Sequence, residues 1–356
     1  MQHSDLCIAG AGIIGLSLAL ELHHRGLRVT VLEQGAPLME ASTAAAGMLA
    51  ASDHANPPQL RPLANLSLSL YPSFLERLHA LSRIPVAFHT STTLQALPED
   101  GAATNILSPD DLYHILPQLT PGEHRFQLIE ERSLDPRQLA TSLVAAVRAT
   151  PIDLRIHTRV LSARSVGESV EVHTSAGILH AAQFVDCTGS WSASTSPLAR
   201  LKVAPRKGQM LAVSMPPSLR LKTVVRTPHI YIVPRAAGPD TARTIIGATI
   251  EDAGFDKTVH THDIAHLRDL AARLLPEIAH AQQLEAWAGL RPSTPDGLPL
   301  LGPMPGQPHR FLATGHYRNG ILLAPATAHV MAQLLTGKGD SLDLSAFSPA
   351  RNLPPV

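Results

Sequence analysis

The chain has 356 residues, 44% hydrophobic and only 16% charged, a composition that supports a large buried core and excludes a disordered tail. Lys+Arg and Asp+Glu both number 29, so nucleic acid and anionic membrane surfaces find no electrostatic attraction here. The length exceeds one ordinary domain, and two interlocked domains or one large α/β unit are expected.

In chain order, residues 6–9 read as a short buried strand, 13–25 as a helix and 28–33 as a second strand. Gly26 sits at the helix end, where a left-handed residue is usual. The apolar stretch 8–20 follows Asp5 rather than basic residues and is closed by Glu21. At about thirteen residues it is too short to span a bilayer. Cys7 and Cys187 lie in apolar runs and read as buried, reduced thiols, so a cytoplasmic protein is expected.

An apolar helix is expected over about 62–81, with Pro72 beginning or kinking a turn inside it. Ser108-Pro109-Asp110-Asp111 sets a cap, a first-turn proline and acidic residues ahead of an apolar-periodic stretch. Asp135-Pro136 repeats that signature before a helix over 137–148. The stretches 155–160, 169–174, 183–187, 209–213, 230–233 and 243–249 are β-rich, and an amphipathic helix spans about 262–275. A last strand, 311–314, runs through a Gly-rich turn into a helix over 320–335, so the chain is expected to leave its first domain and return. Glu130-Glu131 and Asp110-Asp111 read as strand-end and helix-start charges. His260, His262 and His266 read as a solvated helix start and not a metal site, because no Cys or HExxH context accompanies them.

Gly10-Ala11-Gly12-Ile13-Ile14-Gly15 fits G-x-G-x-x-G directly after a strand and opening a helix. The glycines permit a tight turn, close approach to a pyrophosphate and close helix–strand packing, with the helix N-terminus facing the phosphates. Glu33, eighteen residues past Gly15, can accept hydrogen bonds from a ribose and repel a 2′-phosphate. This is the fingerprint of a Rossmann-type dinucleotide site, and on these residues FAD and NAD both stay open.

Three more segments bear on the choice. The small residues Ser42-Thr43-Ala44-Ala45-Ala46-Gly47-Met48-Leu49 would let backbone N–H groups approach a flat ring or phosphate, or would form a tightly packed helix. Phe184-Val185-Asp186-Cys187-Thr188-Gly189-Ser190-Trp191 ends a buried strand in a small-residue turn. Gly315-His316-Tyr317-Arg318-Asn319-Gly320-Ile321 leads into an apolar helix, whose start would stabilise negative charge on a reduced flavin.

With these go Leu134-Asp135-Pro136-Arg137, Tyr231-Ile232-Val233-Pro234-Arg235, Trp287-Ala288-Gly289-Leu290-Arg291-Pro292 with Asp296-Gly297, and the run from Gly315 to Pro325. Over nearly its whole length the sequence resembles the FAD-dependent amine oxidases of the D-amino-acid oxidase superfamily, and within them the glycine oxidases of thiamine biosynthesis. The resemblance implies an α/β fold in which a Rossmann-type FAD-binding domain (1–82, 145–205, 286–345) interleaves with a smaller α+β substrate domain (83–144, 206–285). The smaller domain has a mainly antiparallel sheet, and 346–356 form a tail. Non-covalent FAD is implied to contact Gly10, Gly12, Ile13, Ile14, Gly15, Glu33, Gln34, Ser42, Thr43, Ala45, Ala46, Gly47, Met48 and Val160. Thr188, Gly189, Trp191, Arg291, His316, Arg318, Asn319, Gly320 and Ile321 complete that set.

The same resemblance implies that Arg291 grips a substrate carboxylate, that Tyr231 shares the contact, and that Arg318 and Ile250 belong to the substrate site. A guanidinium is a planar two-pronged donor suited to that task, although an Arg bridging strands and a core Tyr are the plainer readings of the residues alone. Ile250 and Tyr317 stand where Met and Phe are usual, which bears on substrate size. The implied reaction is oxidation of glycine or a related small amino acid or amine (sarcosine, D-alanine) by hydride transfer to FAD. Dioxygen accepts the electrons and gives hydrogen peroxide, and the imine feeds thiazole synthesis. No metal and no side-chain acid or base is required. Competing readings are an FAD-dependent dehydrogenase serving a quinone or protein acceptor, a non-turnover flavin scaffold in thiazole synthesis and, furthest away, an NAD-dependent dehydrogenase. The expected partners are the substrate, dioxygen, thiazole synthase and further copies of the chain, with no nucleic acid and no membrane.

Overall fold

The computed structural model describes residues 4–98, 105–195, 202–216, 219, 221–236, 242–337 and 342–353. β1 (Ser4–Ala9), α1 (Ile13–His24) and β2 (Val29–Leu32) form the opening unit, with α1 buried through most of its length because it is apolar on nearly every side. The single turn α2 (Ala41–Ala44), the long α3 (Arg61–Ser82), β3 (Phe88–Ala96), α4 (Pro109–Ile115), β4 (Phe126–Leu134) and α5 (Pro136–Arg148) follow. The two cap signatures act as written: Ser108 Oγ accepts from Asp111 N at 3.1 Å, and Asp135 Oδ1 accepts from Arg137 N at 2.8 Å.

Next come β5 (Asp153–Arg155), β6 (Val160–Val166), β7 (Ser169–Thr174), β8 (Gly177–Asp186) and the turn α6 (Ser192–Thr195). β9 (Ala204–Ser214), β10 (Val224–Arg226), β11 (Tyr231–Pro234), β12 (Arg243–Gly247), α7 (Thr261–Leu274) and β13 (Gln282–Ser293) build the middle of the molecule. β14 (Leu300–Pro303), β15 (Arg310–Thr314) and α8 (Gly320–Thr336) close it.

Among the described residues the strands form two sheets. The first runs β14-β15-β8-β1-β2-β5, with β6 and β7 added as a meander on β8; β15, β8, β1, β2 and β5 are mutually parallel. α1, α3, α5 and α8 cover one face through Leu16, Leu63, Leu143 and Leu323, and the meander covers the other with Val170 and Val172 against Cys7 and Phe184. The second sheet runs β13-β9-β12-β11-β10-β3-β4 and is antiparallel except for β10 beside β3. Strand alternation sends Leu211, Ile232 and Ile246 toward α7, and Ala212, Val233 and Ile245 to the opposite face with Ala46 and Trp287. No helix among the described residues is long and apolar enough to cross a membrane.

The structure corrects one expectation. Residues 155–160 are not one strand. β5 ends at Arg155, His157 turns at φ 54°, and Thr158 N donates back to Glu33 O at 2.7 Å. Pro72 lies inside α3, on its exposed side where water can take the bond the ring removes. β13 pairs in the second sheet from Gln282, and α5 buries Leu139 and Leu143 in the first core.

Pro325 interrupts α8, and the N–H it lacks would have bonded Ile321 O. Tyr71 of α3 supplies a replacement, its buried hydroxyl donating to Ile321 O at 2.5 Å. One turn away Ser67 Oγ donates to Leu322 O and accepts from Ala326 N. Two helices distant in sequence are thereby joined at a defect in one of them. Tyr71→Phe leaves a buried carbonyl unpaired and is expected to cost about 1–3 kcal/mol. Denaturant unfolding checks this, and a loss below a few tenths would exclude the repair.

Candidate active site

A cavity of about 350 Å³ opens at the carboxyl ends of β1 and β8, the point where the strand order of the first sheet reverses. Gly10 turns there at φ 97°, and a Cβ on it would lie 2.6 Å from Cys187 O, so the β1 and β8 turns touch backbone to backbone. A Cβ on Gly15 would strike Gly10 O at 2.0 Å, which is why α1 can start so close to the strand. α1 begins at Gly12 with no side-chain cap, although Ile13 N reaches Ser42 Oγ at 3.0 Å. Both oxygens of Glu33 accept backbone N–H groups, from Ala11 and Gly35 at 2.8 Å each, which locks the carboxylate at the far end of the cavity.

The strip 44–47 lines the cavity and packs on the second sheet. Trp287 Nε1 donates to Ala44 O at 3.0 Å, and both terminal nitrogens of buried Arg235 donate to Ala46 O at 3.1 and 3.0 Å. Gly47 turns at φ 86°, and a Cβ there would lie 2.0 Å from Leu134 O. The small residues are therefore an irregular strip gripped from both sides after one helical turn, and not a packed helix.

At the other end lies Arg291, on β13. Its Nη1 donates to Thr249 O at 3.1 Å and Lys207 O at 3.3 Å, and its guanidinium lies where a Cβ on Gly208 would sit 2.2 Å from it. Tyr231 lies over Gly247, whose Cβ would fall 2.6 Å from the phenol oxygen; that oxygen contacts Met210 Sδ at 3.1 Å. Burial raises the Tyr231 phenol above its ordinary range against the opposing pull of Arg291 and Arg318, so it stays protonated and can donate. Three further guanidinia line the cavity, of Arg159, Arg226 and Arg318. Arg226 donates to both oxygens of Glu131, at 2.6 and 3.1 Å, and to Gln95; Arg318 Nη2 lies 3.1 Å from Asp53 Oδ2, and Arg159 is exposed. Arg291 makes no ion pair among the described residues; its Nη1 meets the two carbonyl oxygens.

Of the residues expected at the site, Gly10, Gly12, Ile13, Ile14, Glu33, Gln34, Ser42, Ala45, Ala46, Gly47, Met48 and Val160 line this cavity. So do Thr188, Gly189, Trp191, Tyr231, Ile250, Arg291, His316, Arg318, Asn319, Gly320 and Ile321. Gly15 and Thr43 do not; Gly15 packs helix on strand, and Thr43 Oγ1 turns away to Leu38 O at 2.9 Å. Ile250 is 56% exposed and stands at the rim, and Tyr317 is in the lining with φ 47°. Asp53, Arg226 and His229 line the cavity without having been singled out from sequence. Glu131, read there as a strand-end charge, is buried within β4 against Arg226. The only available signal was a lone Arg226 in an otherwise apolar stretch.

The two helix starts at Gly12 and Gly320, the small-residue strip and the Glu33 carboxylate fit a flavin dinucleotide: Glu33 would accept from a ribose, and the helix starts would face its negative charge. Cys187 borders the cavity, but its thiol is buried and pushed well up by desolvation, and Cys7 is pushed to about 12, so neither is a ready nucleophile. Acid precipitation is therefore expected to release the yellow cofactor into the supernatant, and colour retained in the pellet would contradict this. Burial also pushes the His316 imidazole down to about 3, where it meets Thr327 Oγ1 at 3.0 Å. The unfolded chain takes up a proton near its ordinary value of 6.5 and the folded chain does not, so stability falls as pH drops from there toward 3. The slope from this group is at most about 1.4 kcal/mol per pH unit. His316→Gln should flatten the acid limb of the stability profile by that amount, and an unchanged limb would refute it.

A family model described as FAD dependent oxidoreductase (DAO) matches residues 5–334. Glycine oxidase of Pseudomonas putida is 33% identical, the match spanning 98% of this chain and 99% of that protein. A bifunctional ThiO/ThiG protein of Trichormus variabilis is 35% identical over 98% of this chain and 55% of its own length. The crystal structure of glycine oxidase from Geobacillus kaustophilus superposes with a TM-score of 0.92 at 31% identity, covering 99% of this chain and all of that one. The matched span runs through both sheets and every wall of the cavity, and the chain accordingly belongs to the DAO family of FAD-dependent oxidoreductases.

Proposed function

We propose that the enzyme oxidises glycine or a comparably small amino acid or amine, such as sarcosine or D-alanine, to the imine. The observation that carries this reading is Arg291, a guanidinium without a carboxylate partner among the described residues, at the inner end of a cofactor-shaped cavity. Bound FAD supplies a two-electron acceptor.

The chain's own residues bind and orient. Arg291 takes the substrate carboxylate, and Tyr231, whose phenol lies within hydrogen-bond reach of the Arg291 side chain, adds a second donor beside it. Asp53 and Glu131 are each held by an arginine, so a substrate ammonium meets no uncompensated acid there. The field of Arg291 favours the neutral amine, the form that can give up its electrons. No side chain has to remove a proton from carbon. The imine then hydrolyses, and the overall reaction with glycine, dioxygen and water yields glyoxylate, ammonia and hydrogen peroxide. The likeness to a ThiO/ThiG protein supports delivery of the imine to thiazole synthesis, with thiazole synthase as the partner.

Arg291→Leu removes the anchor and is expected to weaken glycine at least about 30-fold, in line with the roughly 2–5 kcal/mol that loss of one buried charge partner costs. Anaerobic stopped-flow reduction of the bound flavin reads both affinity and limiting rate. Unchanged affinity would sink the assignment, and a peroxide yield near zero under air would replace oxidase by dehydrogenase.

A further inference from the structure

β9 alternates across the second sheet. Gly208 and Met210 face the cavity, whereas Lys207 and Gln209 face away from it toward α7, and both are completely buried. Their partners converge on one carboxylate. Lys207 Nζ lies 3.1 Å from Glu251 Oε2; Gln209 Nε2 donates to Glu251 Oε1 at 2.9 Å, and the Thr249 hydroxyl donates to that same oxygen. The start of α7 fixes Gln209 from behind, since Gln209 Nε2 also reaches Asp263 Oδ2 at 2.5 Å and its Oε1 accepts from His260 N at 2.7 Å. Burial opposes ionisation of Glu251, but the hydrogen bonds from Thr249, Gln209 and Lys207 outweigh it and hold the carboxyl below its usual range.

The backbone follows the side chains. Lys207 and Glu251 exchange N–H···O bonds of 3.0 Å in both directions, and Gln209 N donates to Thr249 Oγ1 at 2.8 Å. This stitches the segment after β12 to β9 beyond the last rung of their ladder, at Gly247 and Met210. The carbonyls so placed, Lys207 O and Thr249 O, are the two that receive Arg291 Nη1.

We propose that Lys207, Gln209 and Glu251 are positioning residues for substrate carboxylate binding: they set two carbonyls that fix one edge of Arg291 and leave its other edge for the substrate. The proposal rests on Arg291 being the carboxylate anchor. Its physical sense lies in the choice of tether. A carboxylate placed directly on Arg291 would compete with the substrate, whereas carbonyls orient the guanidinium without spending its charge. The acid that organises the tether is itself neutralised by Lys207 on the far side of the sheet.

The test uses FAD-loaded enzyme carrying Glu251→Ala or Gln209→Leu, each also in an Arg291→Leu background. Two quantities are read: the glycine dependence of anaerobic flavin reduction, and the change in flavin absorbance on titration with glycolate, which carries the carboxylate without the amine. The tether predicts roughly tenfold weaker glycine and glycolate, as expected when an oriented group loses its placement, with the limiting reduction rate within about threefold. It also predicts no further loss of glycolate affinity when either change is added to Arg291→Leu, and partial recovery with Glu251→Gln, which keeps a hydrogen-bond acceptor. Full additivity with Arg291→Leu, or a fall in limiting rate with glycolate affinity intact, would overturn it. If Glu251→Ala fails to retain FAD, Gln209→Leu carries the same comparison from the other end of the tether. Glycolate binding that is tight in the unaltered enzyme and unmoved by Arg291→Leu alone would remove the anchor, and the tether with it.

Discussion

Arg235, just after β11, is buried with both terminal N–H groups on a single carbonyl, that of Ala46, and with Asp135 3.7 Å from its Nε. Burial lowers its guanidinium to about 10, still charged at neutral pH, so this is a full cation spent on holding one peptide. Much else depends on that peptide. The strip it belongs to lines the cofactor cavity on one side and seats Trp287 and Gly289 of β13 on the other; a Cβ on Gly289 would lie 2.6 Å from Ala44 Cβ.

Charge in the cavity is arranged by subtraction. Four guanidinia line it, and the fold pairs two of them with acids drawn from distant segments, Glu131 from β4 and Asp53 from the loop after the strip. That loop is fastened again where Asn319 Nδ2 meets Asn56 Oδ1 at 2.9 Å, beside the start of α8. Pairing Arg226 and Arg318 lowers the positive charge the cavity would otherwise present to an anion.

Local chemistry made much of this legible from sequence. The fingerprint glycines, Glu33 and the Ser108 and Asp135 caps each act within a few residues of themselves or within one βαβ unit, so spacing alone exposes them. β3 and β4 stayed hidden because their stretches are rich in Thr, Ser and Glu and carry no clean apolar alternation. Their polar residues are satisfied by one another, as where Thr93 Oγ1 donates to Glu131 Oε1 at 3.1 Å. Arg226 meets Glu131 across 95 positions, and no spacing rule connects two charges in separate strands. Gly15 and Thr43 sit inside the same motifs, where Gly15 packs helix on strand and Thr43 Oγ1 donates to Leu38 O.

Pro325 and Tyr71 also bear on where water can go. A proline in the first turns of α8 ordinarily frees a carbonyl to search for water, and Ile321, whose carbonyl is freed here, lines the cofactor cavity. The Tyr71 hydroxyl occupies that position instead, from a helix about 250 positions earlier in the chain. A defect in one helix is thereby closed to solvent by a buried side chain of another.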